Sequence, residues 1–167
     1  MRVYVPATLP LLATWLDAGA AAAPRARAVT PAVREWYSGG DEEELEFSAL
    51  LDAATDSLGL LAADGAAPRR RLVLAADVPD REVRSLGGPL DEEAPTEVEL
   101  AGPVPMSAVV SAHCDEPEAS EVVAAAAAAV EAARAGDEDA SFVVDGAEDG
   151  DLLWFDAREL RALLSEG

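Results

Sequence analysis

The run Leu72-Val73-Leu74-Ala75-Ala76 constrains this chain more than any other segment. Five consecutive apolar residues lie between Arg69-Arg70-Arg71 and Asp77, too short for an ordinary helix and without polar alternation. Such a run suits a strand covered on both faces, so it predicts a central strand with layers of structure on either side.

The other segments supply those layers. Val3 to Val5 begins a strand, and Thr8 can cap a helix running to about Asp17. Ala26 to Val29 leads into Thr30-Pro31, where Thr30 offers a cap oxygen and Pro31 occupies the first helical position, at which its missing N–H costs nothing. Val33, Trp36 and Tyr37 give that short helix an apolar side, and Gly39-Gly40 ends it. From Asp41 to about Ala63, Phe47, Leu51, Ala54, Leu58 and Leu61 recur at spacings of four and three, the signature of an amphipathic helix. This stripe reads as intrachain core rather than a partner seam, since it covers only two heptads and includes Gly59.

Residues 86–96 read as a loop, with Gly87-Gly88-Pro89, an acidic patch and Pro95. Val98 and Leu100 alternate with Glu97 and Glu99 as on a half-buried strand, and Ala108 to His113 is a further strand candidate. An Ala-rich helix is expected from about Glu116 to Ala135, stopped by Gly136. Phe142-Val143-Val144 and Leu152 to Phe155 are expected to pair as a hairpin around 145–151, after which Asp156 opens a terminal helix with Leu160, Leu163 and Leu164. The resulting expectation is one α/β or α+β domain over residues 1–167: a mixed sheet of five to seven strands covered by helices, closed by a hairpin and a helix. Phe47, Leu51, Leu58, Leu61, Leu72, Leu74, Val109 and Trp154 are expected in its core.

Half of the 167 residues are apolar, enough for a sizeable core, yet 33 Asp and Glu face only 12 Arg, a net charge of −21. That charge repels phosphate backbones, so direct nucleic-acid binding is not expected. The cations are all Arg, which fits a GC-rich coding bias or a salt-adapted surface. Part of the acidity serves folding. Asp41 with Glu44, Asp115 with Glu118, and Asp156 with Glu159 each resemble a capping box at an expected helix start. The remaining carboxylates are solvated surface or a field aimed at a partner.

Cys114 is single, so no disulfide framework exists and a reducing compartment is the natural reading. Leu9 to Leu16 followed by Gly19 to Ala23 superficially resembles a secretion signal. Only Arg2 precedes the run, Pro10 interrupts it and Asp17 closes it, and no apolar stretch approaches the roughly 18 residues of a membrane span, so a cytoplasmic chain with no membrane contact is expected.

His113 and Cys114 are the most reactive residue types present, but neighbours on a strand face apart, whereas His113 and Asp115 could share a side. Asp115 could orient His113, although helix capping is its preferred role. Asp77 and Asp80 follow the apolar strand, at the end where open α/β sheets bind ligands. Asp77, Asp80, His113 and Asp115 are therefore the candidate catalytic set, with Asp-Val-Pro-Asp equally readable as a turn. Asp137, Asp139, Ser141, Asp145 and Glu148 match oxygen positions of a calcium loop, but Phe142 stands where the pattern needs Gly, so tight calcium binding is not expected. One His and one Cys cannot supply a usual zinc set. Arg69-Arg70-Arg71 could hold an anion, with an exposed, acid-neutralised strand entry as the preferred reading. The sequence has no phosphate-cradling Gly loop, nucleophile elbow or His-Glu-x-x-His motif, and no cofactor or metal is expected.

The opening Met-Arg-Val-Tyr-Val-Pro-Ala-Thr-Leu, the segment Val29 to Tyr37 with Asp41 to Glu46, and Arg70 to Pro79 together resemble a family of small acidic proteins of unknown function from high-GC actinobacteria. The resemblance implies a bacterial cytoplasmic protein and brings no activity. The expected function is a non-enzymatic binding or regulatory module that meets a basic protein partner through an acidic face, acting in one special case as a nucleic-acid mimic. The alternative is a small metal- or acid/base-dependent enzyme using Asp77, Asp80 and His113.

Overall fold

A computed structural model of the chain describes residues 1–37, 41–86 and 95–166. In chain order the elements are β1 (Arg2–Ala7), α1 (Leu9–Ala18), β2 (Ala20–Ala21), β3 (Arg25–Ala28), α2 (Pro31–Trp36), α3 (Glu42–Ala63), β4 (Leu72–Asp77), β5 (Val83–Ser85), β6 (Glu97–Leu100), β7 (Val104–Pro105), β8 (Val109–Asp115), α4 (Ser120–Arg134), α5 (Glu138–Glu148), β9 (Leu152–Asp156) and α6 (Leu160–Ser165). The expected break at Gly39-Gly40 and most of the expected loop, residues 87–94, lie outside the described residues.

Among the described residues seven strands form one sheet in the order β5-β6-β3-β1-β4-β8-β9, and β2 pairs separately with β7. The fold is α+β, and every pairing is antiparallel where a mixed sheet was expected. The apolar run is β4, between β1 and β8, with all of residues 72–76 buried.

Period-two alternation sends its side chains into two cores. Leu72, Leu74 and Ala76 join Val3, Val5 and Cys114 against Leu12 and Trp15 of α1 and Leu160 and Leu163 of α6. Val73, Ala75 and Tyr4 meet Leu45, Ala49, Leu50, Ala53 and Ala54 of α3 on the other face. Farther along α3, Leu58 and Leu61 pack with Val123 and Val130 of α4 and Val144 and Ala147 of α5. Ser57 fixes where α3 sits: its buried hydroxyl donates to the Ala7 carbonyl at 2.7 Å and accepts from the Leu72 N–H at 3.1 Å. Thr8, Thr30 and Asp41 cap α1, α2 and α3 as their sequence positions require, and Asp156 with Glu159 forms a full capping box ahead of α6.

Several expectations are corrected. Phe47 is 60% exposed and Leu51 is half-buried, because the face of α3 that meets the sheet is the small-residue stripe Ala49, Ala53, Ala54 and Ser57 rather than the line of largest side chains. Trp154 is also 60% exposed, on the edge strand β9. Residues 142–144 are helical, so β9 pairs with β8 and not with them. Asp137 caps this helix through the Ala140 N–H, Glu138 and Asp139 occupy its first turn, and burial of Val144 and Ala147 against α3 and α4 overrides the β preference of Phe-Val-Val. The five calcium-pattern residues are therefore set around a helix rather than a loop, with Glu148 accepting from Thr55 at 2.7 Å.

The arginine cluster is not an exposed strand entry. Arg70 and Arg71 are only 3% and 1% exposed. Arg71 makes a two-point pair with the Asp115 carboxylate, through Nε at 2.9 Å and Nη2 at 2.7 Å, while its backbone N–H donates to the same carboxylate at 2.6 Å. Asp115 is thus a buried counter-ion and not a helix cap. Arg70 Nε donates to the Asp115 carbonyl at 2.7 Å, and Arg71 Nη2 reaches the Gly150 carbonyl at 3.3 Å.

Two stability measurements follow from this packing. Leu58→Ala should cost about 2–5 kcal/mol in urea unfolding, while Phe47→Ala should stay within about 0.5 kcal/mol. Asp115→Ala, which removes the carboxylate from the buried Arg71 guanidinium, should cost about 3–5 kcal/mol by the same assay. Loss of less than about 1 kcal/mol would mean that water or another carboxylate replaces the pair.

Candidate functional site

Helix α3 lies over β1, β3 and β4, and α4 and α5 pack along its C-terminal half. Among the described residues no helix covers β8 and β9 beside the N-terminal half of α3, so that face of the two strands stays open there. The result is a groove of about 280 Å³. Cross-strand register places Tyr4, Ala75 and Ser111 in one row, and Ala75 and Ser111 are too small to fill the space. Glu43, Glu46, Phe47 and Leu50 of α3 line one side, His113 and Trp154 the other, and Arg2 completes the lining. His113 and Trp154 are direct partners across β8 and β9.

The polar groups of this groove carry distinct charges. Arg2 is held by Asp77 through Nε at 2.6 Å and Nη2 at 3.1 Å, and the guanidinium lowers the Asp77 carboxyl below its ordinary value. Burial, aided by the Glu46 carboxylate, pushes the Tyr4 phenol up to about 12, so it stays a neutral hydroxyl. Burial also lowers His113, leaving a neutral imidazole at neutral pH. The groove therefore offers the carboxylates of Glu43 and Glu46, the latter also accepting from the Tyr4 hydroxyl, a neutral ring and two exposed aromatic side chains, with Arg2 already paired to Asp77.

Of the four residues picked from sequence, His113 lies in this groove and Asp77 adjoins it through Arg2. Asp80 pairs with the N-terminal amine at 2.8 Å, which lowers its carboxyl. Asp115 shares the His113 side of β8 but is buried against Arg71. His113 stands opposite Val73, four residues along β4 from Asp77, a separation of ~13 Å. The arrangement thus brings His113 together with Glu43, Glu46, Phe47 and Trp154 rather than with the other aspartates. Phe47 and Trp154 escaped sequence reading because size and apolarity suggested core; the signal available was the dense acidic run Glu42 to Glu46 immediately before Phe47. Cys114 faces the opposite core, where burial pushes its thiol up to about 12, away from thiolate chemistry.

The depressed His113 value has a testable consequence. The unfolded chain binds the proton more tightly than the folded one, so stability falls as pH drops below the ordinary value of 6.5. Unfolding free energies between about pH 7 and pH 5.5, where carboxylates remain largely ionised, should decline less in His113→Asn than in the parent chain. Equal slopes would show that the ring is not desolvated.

No helix among the described residues is long and apolar enough to cross a membrane. No curated protein and no solved structure matches the chain. A family model does match, over residues 1–164, and by that coverage the chain belongs to DUF6912, a family of unknown function.

Proposed function

We propose that this chain is a non-enzymatic docking module that binds a basic protein partner through its acidic surface. The observation that carries the reading is the fate of its cations. All twelve arginines are engaged inside the chain: ten in ion pairs with carboxylates, Arg69 on the carbonyls of Leu61, Asp64 and Ala67, and Arg70 on that of Asp115. Even the arginines that reach solvent, such as Arg81 and Arg158, sit beside a carboxylate, so the unbalanced surface charge is negative. Residues 116–151, which include α4 and α5, hold eleven Asp and Glu against the single Arg134, itself paired with Glu131 and Asp56.

A field of this sign speeds encounter with basic partners and rejects acidic ones. The same region exposes Val122, Phe142 and Val143, giving apolar contact amid the charge, as the centre of an interface needs. Catalysis gains less support, since Asp77, Asp80 and Asp115 are each bound to a cation of the chain itself.

Immobilised protein exposed to native cell extract should retain basic proteins that elute as salt rises from about 0.05 to about 0.5 M, across which the Debye length shrinks severalfold. A variant carrying Glu138→Gln, Asp139→Asn and Asp145→Asn should retain them more weakly. Retention indifferent to salt, or of acidic proteins only, would overturn the docking reading.

A further inference from the structure

We propose that the groove between α3 and the β8–β9 edge is a subsite for an arginine side chain of that basic partner, an assignment that rests on the docking reading and locates its specific contact. The size comes first. At about 280 Å³ the groove falls just below the usual range for pockets that hold cofactor-sized ligands, and suits one long side chain.

The chemistry narrows the occupant. Phe47 and Trp154 line the groove and are both 60% exposed, so two aromatic surfaces stand largely in water. Glu43 and Glu46 add carboxylates to the same lining, and Arg2 is tied to Asp77. An anionic ligand would meet two like charges. A neutral apolar ligand would desolvate those carboxylates without compensation. A cation satisfies them, and its attraction to an aromatic face adds to the pairing. Guanidinium is favoured over ammonium because it is planar, stacks on rings and bonds carboxylates at two points while keeping less of its hydration. The neutral His113 imidazole and the Ser111 hydroxyl on the same side of β8 can accept hydrogen bonds from a group inserted between the walls. The long-range field of the acidic surface would bring the partner close, and this groove would select which side chain enters.

The probe is the blocked peptide acetyl-Gly-Arg-Gly-Arg-Gly-amide, with its lysine counterpart as comparison, titrated into the full chain at low salt. Binding is followed by calorimetry and by the indole N–H resonance of Trp154, assigned from its absence in Trp154→Ala. The arginine peptide should move that resonance saturably and bind at least threefold more tightly than the lysine peptide. Glu43→Gln with Glu46→Gln should weaken it at least tenfold, and Phe47→Ala or Trp154→Ala at least threefold. The exposed aromatic positions leave the core intact, and unchanged melting temperatures verify this. The control Asp17→Asn, on α1 across the sheet from the groove, should weaken binding less than twofold. If basic proteins are retained in a salt-dependent way but the Trp154 resonance stays still and the groove variants bind normally, the subsite is wrong while the docking module stands. Equal binding of the lysine peptide would overturn the arginine assignment. Absence of binding by either peptide and by any basic protein would remove both.

Discussion

The buried pair of Arg71 and Asp115 is the constraint on which the rest of the structure depends. It joins the entry of β4 to the exit of β8, and Arg71 reaches on to Gly150 just before β9. Three adjacent strands are therefore indexed by one guanidinium. Isolated burial of either charge would be prohibitive, so the pair tolerates little displacement, and a one-residue slip of β8 would separate the partners as well as invert its faces. The Asp115 carbonyl holds Arg70 as well, which places a second buried cation at the same strand end.

This anchoring explains why the groove lies where it does. With β8 and β9 locked at the Asp115 end, the chain leaves β8 for α4 and α5, and both pack beside the C-terminal half of α3. Among the described residues, the opposite end of the same face receives no helix of its own. Ala75 and Ser111 then leave space where larger side chains would have closed the sheet against α3. Function, on this view, occupies what the helical layer does not cover.

Much of this architecture was legible in the sequence, because its signals are local. Leu72 to Ala76 announced a doubly covered strand, and Thr8, Thr30, Asp41 and Asp156 announced four helix starts by side-chain chemistry alone. Illegible features depended on distant partners. Nothing next to Asp115 in sequence reveals Arg71, 44 residues away, so local chemistry suggested a cap. Residues 142–144 favour a strand by type, and only the burial of Val144 against α3 and α4 decides for helix. Phe47 misled for a subtler reason: helix–sheet approach here is close, which gives the inward face to Ala and Ser and turns bulk outward. His113 was recognisable as chemically notable, but its surroundings arise from distant pairings: Glu43, Glu46 and Phe47 from how α3 crosses the sheet, and Trp154 from the register of β9 on β8.

The edge strand β9 bears on the colloidal behaviour of the protein. A free edge carrying Leu153 and Trp154 in partly or largely exposed positions is the kind of surface that templates strand addition between copies. Here mutual repulsion opposes that association, since each copy brings a charge of −21. Acidification toward the isoelectric point near 4.1 removes the barrier while the backbone edge remains open. The carboxylate excess thus also serves as a dispersant, and its neutralisation in acid favours association along the β9 edge.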